Sequence, residues 1–384
     1  MAELLLSLAI LLFSAKLMGE LFERLNLSSL VGEITAGIIV GPLLGIITPS
    51  ESLKVVTDFG IIFMLFLIGL STKFDEIKSN IYKGSALAIA GCFLAFAGGL
   101  ITGYVFLGSL EIGIILGVAV ISTSTAITLR SLADIGEFQS RPYKLALAVD
   151  IADEVIAILS LAVLTTYFTL GSVKIWEIAT LFFAVLGFFF FILTAGSSIA
   201  RRFLALFQTM RDEQILVAMP LVVLFLTAFV SEHVGIAAVT GAFLAGVALS
   251  KSPLVEPLIM PKVKAISYGF FIPIFFAYSA VLLNLGAVAA YLPVIGALVL
   301  LVSVGKIIGC GAIARYFGYN SQEQSVIGIG MIPHGEYSIV IAQIALVGGF
   351  IQSEIYTIII AFVIVSIVMT PLLLRWFTRR PGRR

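Results

Sequence analysis

The feature that most constrains this chain is a succession of long apolar stretches, interrupted at intervals by charged, Pro and Gly clusters. The hydrocarbon layer of a bilayer is about 30 Å thick, so a helix crossing it needs roughly 20 predominantly apolar residues. Thirteen such stretches can be drawn, near 4–23, 29–48, 55–72, 84–107, 110–130, 143–168, 175–198, 214–231, 234–250, 262–284, 287–314, 323–348 and 353–376. Only 12% of the 384 residues are charged, against about 25% in a water-soluble domain, so water is not the main solvent of this chain. No stretch shows the period-two alternation of a membrane barrel wall. The expected fold is an all-α polytopic membrane protein of about 13 transmembrane helices, with membrane lipid as its first partner. The first apolar run carries Glu3 where a cleaved signal has basic residues, and it counts as a structural helix.

The positions of the charges set an orientation. An odd number of spans puts the termini on opposite sides, and the Arg-rich tail from Arg375 to Arg384 belongs in the cytoplasm by the positive-inside rule. Threading the loops alternately then places nineteen of the twenty-three Lys and Arg residues on the cytoplasmic side, with the N-terminus outside. A net charge of +1 makes no case for nucleic acid. Cys92 and Cys310 lie in apolar runs with neither CxxC nor His spacing, so no disulfide framework or zinc site is expected. Neither a P-loop, a nucleophile elbow nor a metal triad is present, so neither an enzyme nor a cofactor is expected.

Two segments seven spans apart are alike: FGIIFMLFLIGL from Phe59 and YGFFIPIFFAYS from Tyr268. An odd offset means that the second copy crosses in the opposite sense, as in transporters built from inverted repeats. The division that follows is 1–170 for the first repeat, 171–205 for a linker helix and 206–378 for the second repeat, all within one transporter unit.

A charge at the centre of a bilayer costs about 2.5–3.5 kcal/mol on insertion scales. The sixth stretch nevertheless carries Asp150, Asp153 and Glu154, whose i, i+3, i+4 spacing puts all three on one helical face. Carboxylate oxygens suit hard cations, and the same oxygens bind protons. Competition of cation and proton for one site is the chemistry of an exchanger; the same acids could also pair with a buried cation and hold helices together. The candidate cation is Lys306, near the middle of the eleventh stretch, which either carries a transported proton or locks Asp153. Lys16, near Glu20, can snorkel and receives no transport role.

Two helices are expected to break at mid-membrane. Ser122, Thr123, Ser124 and Thr125 offer hydroxyls that compete for backbone bonds. Pro333 removes a backbone donor and Gly335 loosens the turn, with His334 between them. Unwound backbone at that depth is tolerated only where protein or a water-filled cavity satisfies it, and the corresponding placement of the two breaks points to a binding region where they cross. A simple kink at Pro333 is the alternative. His334 is either a pH sensor or a hydrogen-bonding cap. Glu336 is expected to pair with Arg130, and Glu33 and Asp58, near helix ends, are structural or line a vestibule.

The stretches VGEITAGIIVGP from Val31, FMLFLIGL from Phe63, STSTAITLRSL from Ser122, the pair Asp153-Glu154, FIPIFFAYS from Phe271, VGKIIG from Val304 and GMIPHGEYSIVIA from Gly330 together resemble the monovalent cation/proton antiporter family. The branch is that of bacterial sodium/proton antiporters and the membrane domain of Kef-type potassium efflux systems. The resemblance implies six-helix inverted repeats with two crossed discontinuous helices, a core domain from helices near 55–168 and 262–376 and a dimerisation domain from the remaining helices, a homodimer, and elevator-like alternating access in a prokaryotic plasma membrane. It makes Asp153 the acid that pairs with Lys306 and Glu154 the ion-binding acid, where relatives usually carry Asp; His334 stands where they usually carry Arg. Exchange of sodium or lithium for protons, electrogenic because Asp153 and Lys306 are retained, is the leading expectation, with potassium/proton exchange second. A sodium-coupled symporter of organic solutes needs more polar side chains at the crossing than the sequence supplies, and the buried acids argue against a channel or sensor subunit.

Overall fold

The computed structural model describes residues 2–25, 27–72, 80–170, 214–233, 237–250 and 252–378, with isolated positions between 171 and 213. The described residues are overwhelmingly helical and contain no strand. In chain order the helices are α1 (Ala2–Arg24), α2 (Ser29–Ile38), α3 (Glu51–Ser71), α4 (Ile81–Ile101), α5 (Leu110–Ala119), α6 (Thr125–Asp134), α7 (Arg141–Leu170), α8 (Ile215–His233), α9 (Ala238–Ser250), α10 (Met260–Ile266), α11 (Ile272–Val281), α12 (Leu285–Ala290), α13 (Leu292–Tyr316), α14 (Ser321–Gly330), α15 (Glu336–Val347) and α16 (Ser353–Thr378). Short π-helical turns extend α2 and α4 and flank α10.

Among the described residues, six helical segments are long and apolar enough to cross a membrane: Ala2–Arg24, Glu51–Ser71, Ile81–Phe106, Pro257–Val281, Leu292–Tyr316 and Ser353–Thr378. The all-helical expectation holds, but these six do not establish a count of about thirteen. The 30-residue α7 has the length, and the acids on it break its apolar run. The helix expected near 175–198 and the basic residues Lys73, Lys78, Lys174, Arg201, Arg202, Arg211, Lys251 and Arg379 to Arg384 lie outside the described residues.

Local chemistry starts and stops these helices. Ser50 and Ser109 accept hydrogen bonds from the backbone N–H groups of Leu53 and Ile112, capping α3 and α5. Asn320 and Glu323 form a reciprocal capping box at the start of α14. On α1 only Leu11, Ala15 and Gly19 are buried, while Leu5, Leu6, Phe13 and Leu17 are more than half exposed, a surface suited to lipid rather than water.

Two compact units emerge from the packing. The first comprises Met1–Phe22, Gly32–Lys73 and Leu161–Leu282; the second comprises Glu23–Val31, Phe74–Ser160 and Leu283–Arg384. In the first unit α3 and α9 touch backbone to backbone, because a methyl group at Gly69 or Gly246 would collide with the main chain of Phe243 or Phe66. Lys16 is half-exposed and pairs with Glu33 at 3.2 Å in that unit, which assigns Glu33 a structural ion pair. In the second unit α4 and α13 also approach through glycines, less tightly. A Cβ on Gly309 would lie 2.8 Å from the Ala90 carbonyl oxygen, and one on Gly305 would lie 2.9 Å from that of Leu94. Small residues at such contacts replace the hydrophobic drive that lipid removes, since close backbone approach maximises dispersion.

Candidate functional site

Every polar contact of the site lies within the second unit. Helix α5 ends at Ala119 and α6 begins at Thr125; α14 ends at Gly330 and α15 begins at Glu336. The two irregular segments, which hold Ser122-Thr123-Ser124-Thr125 and Pro333-His334-Gly335, meet. The Ser124 N–H donates to the Pro333 carbonyl at 2.8 Å, and Thr128 Oγ1 donates to the Gly330 carbonyl at 2.8 Å. Thr123 Oγ1 also lies 3.4 Å from the Met331 carbonyl, and Ser122 Oγ lies 3.4 Å from that of Thr123. Main-chain groups freed by each break are thus satisfied by the other, which the dry interior of a membrane requires. Gly335 is needed for this approach: a Cβ there would sit 2.9 Å from Ser124 Oγ and 3.0 Å from Ser124 Cβ.

Asp153 and Lys306 form a buried ion pair beside the crossing. Lys306 Nζ donates to Asp153 Oδ2 at 2.7 Å, to the Ile121 carbonyl at 2.6 Å and to Thr123 Oγ1 at 3.0 Å. The ammonium therefore uses all three of its protons, one of them on a carbonyl just past the end of α5, where the helix dipole is negative. Asp153 receives two further donors, Thr123 Oγ1 at 2.7 Å and Cys92 Sγ at 2.8 Å.

Glu154 is held differently. It is 8% exposed, and among the described residues its one donor is Thr125 Oγ1 at 3.1 Å, in the first turn of α6. A carboxylate offers about four acceptor positions, so most of the acceptor capacity of Glu154 is unused. Glu336, the first residue of α15, accepts from Ser124 Oγ at 3.1 Å, an acid at a helix N-terminus where the dipole favours it. Asp150, one turn earlier on α7, is fully buried, and neither of its oxygens has a hydrogen-bond partner among the described residues.

One expected contact does not form. Arg130 does not reach Glu336; it is half-exposed and lies 3.9 Å from Glu23, because it projects from α6 away from the crossing. The pairing of Lys16 with Glu33 is not expected from the sequence. The sequence reading also passed over Cys92. Its thiol bonds the central acid, yet nothing in an apolar run marks which cysteine a distant helix will meet.

A membrane bundle in which two broken helices cross beside a buried carboxylate and lysine defines an ion-coupled secondary transporter. Residues 9–380 match the family described as sodium/hydrogen exchanger, transmembrane. The chain is 29% identical to the Na(+)/H(+)-K(+) antiporter GerN of Bacillus cereus, over 97% of this chain and 96% of that protein. It is 30% identical to the probable Na(+)/H(+) antiporter GerT of the same organism, over 96% and 97%. Among solved structures it is similar to the sodium proton antiporter MjNhaP1 from Methanocaldococcus jannaschii, with a TM-score of 0.75 at 16% identity, covering 98% of this chain and 100% of that one. The chain belongs to the transmembrane sodium/hydrogen exchanger family, whose members are monovalent cation/proton antiporters.

Proposed function

We propose that this protein exchanges sodium or lithium for protons, with Glu154 as the exchanging group and Asp153 and Lys306 as its charged partners. The observation that carries the proposal is the asymmetry of the two acids. Asp153 has three donors, including an ammonium, whereas Glu154 has a single hydroxyl and spare acceptor positions. A dehydrated cation needs such oxygens, and Thr125 Oγ1 and the carbonyls of the crossing are of the right hard type. When a cation binds, Glu154 is ionised and its proton leaves to water; when a proton returns, the cation is released. One carboxylate thus cannot hold both cargoes.

The wider proposal has inverted repeats, a homodimer, a cytoplasmic C-terminus in a prokaryotic plasma membrane, and elevator-like alternating access that carries the site from one side to the other. Exchange is electrogenic if Asp153 and Lys306 contribute a further proton in each cycle. Potassium is the second reading, favoured by the extra methylene of Glu154 and by the printed name of the Bacillus cereus relative, a Na(+)/H(+)-K(+) antiporter.

The test is reconstitution in liposomes with a pH-sensitive dye, adding sodium, lithium and potassium in turn. Cation-dependent proton movement that disappears in Glu154→Gln is expected, and equal activity in that variant removes Glu154 from the site. A membrane potential clamped with valinomycin should change the rate; an indifferent rate means one-for-one exchange.

A further inference from the structure

His334 holds a position in the crossing that the exchange of cation for proton does not explain. The side chain is fully buried between the two breaks. Its Nδ1 lies 2.6 Å from the Ile332 carbonyl oxygen, and its Nε2 lies 2.8 Å from the Val120 carbonyl oxygen. Both partners are acceptors only. A neutral imidazole has one N–H and one bare nitrogen, so either tautomer would press a lone pair against a carbonyl oxygen at hydrogen-bond distance. Only the imidazolium supplies a donor to each.

The location suits a positive charge. Val120 is the residue at which α5 ends, and Ile332 lies two residues beyond the end of α14, so both carbonyls belong to helix C-termini, which carry partial negative charge. The backbone holds the ring in place: the His334 N–H donates to Ser366 Oγ at 3.0 Å, and the ring lies 4.8 Å from that of Phe362, both on α16. Neither group on α16 is titratable. Burial disfavours a charge here and Lys306 on α13 adds a like charge; the two backbone carbonyls act against both, and the ion pair of Lys306 with Asp153 offsets the second.

We propose that His334 is a permanently charged positioning residue. As an imidazolium it clamps the C-terminal ends of α5 and α14 together and so fixes the crossing against which Asp153 and Glu154 are set. It touches neither cargo, and the inference is independent of which cation is carried.

The chain has two histidines, so a His233→Gln background leaves one imidazole to observe. The full-length protein, labelled with ¹⁵N-histidine and placed in lipid, should show at neutral pH two ring nitrogens that are both protonated, each coupled to its own hydrogen. One protonated and one bare nitrogen overturns the proposal. Transport supplies a second readout. His334→Gln, which lacks the charge and the opposed pair of donors, should lower turnover about tenfold, the scale of a histidinium at helix C-termini, with little change in the KM for the cation. His334→Arg, which keeps the charge, should recover most of that loss. A Gln variant as fast as the parent removes the positioning role.

Discussion

Replacing Lys306 by Met removes the ammonium while leaving a side chain of similar volume on α13. Asp153 then keeps Cys92 and Thr123 as donors but loses its counter-ion, in a place where the two side chains are 0% and 1% exposed. The Ile121 carbonyl loses its donor as well. Breaking a buried pair from one side costs about 3–5 kcal/mol, because a charge is stranded without compensation. At about 2–4 °C per kcal/mol this lowers the apparent Tm by on the order of 10 °C. Thermal unfolding of the purified protein, followed by tryptophan fluorescence or by loss of the monodisperse peak after heating, measures it. Asp153→Leu in the Lys306→Met background strands no charge and should restore most of the lost stability, while transport stays absent in the single and double variants alike. Acidification should also relieve the single variant, since a protonated Asp153 has no charge to strand. The reasoning fails if Lys306→Met is as stable as the parent, or if the double variant is no more stable than the single one.

The remaining predictions concern neighbouring contacts. Gly335→Ala drives a methyl into Ser124, an overpacking worth about 1–3 kcal/mol; initial transport rates should fall about tenfold or more, and an unchanged rate refutes the close contact. Cys92→Ala removes one of three donors to Asp153, worth about 0.5–1.5 kcal/mol. The KM for the cation should shift about twofold to tenfold, with Cys92→Ser much nearer the parent. Asp150→Leu removes a buried carboxyl whose oxygens have no hydrogen-bond partner among the described residues; it should raise the apparent Tm by a few °C, about 1–3 kcal/mol of desolvation, and a lowered Tm would mean that Asp150 has a stabilising partner.

The parts of the site that could be read from sequence are those where one residue type contradicts its surroundings. Asp153, Glu154 and Lys306 are charges in apolar runs, and Pro333 and Gly335 are breakers inside a span, so each announces itself without a partner. What could not be read is pairing, because the partner of a side chain depends on how closely two helices approach. Cys92 meets Asp153 because α4 and α7 approach closely, a Cβ on Gly84 falling 2.7 Å from the Ala148 carbonyl carbon, and Arg130 meets Glu23 because α6 turns it outward. The all-helical character followed from hydropathy alone. The number of spans did not, since several apolar stretches fold as helices too short to cross alone, Ser29–Leu43, Leu110–Ala119, Val217–His233, Ala238–Ser250 and Glu336–Val347 among them.

The single hydroxyl that serves Glu154 has a consequence for leakage. A carboxylate with one donor among the described residues is costly as a bare anion at that depth, and a sodium-sized ion or a proton that cancels its charge lowers the cost. In the proposed cycle its transit between the two aqueous faces is therefore slow when vacant and fast when loaded. Coupling of the two gradients follows from this sparse solvation, and extra donors around Glu154 would be expected to produce a protein that shuttles unladen and lets both gradients run down.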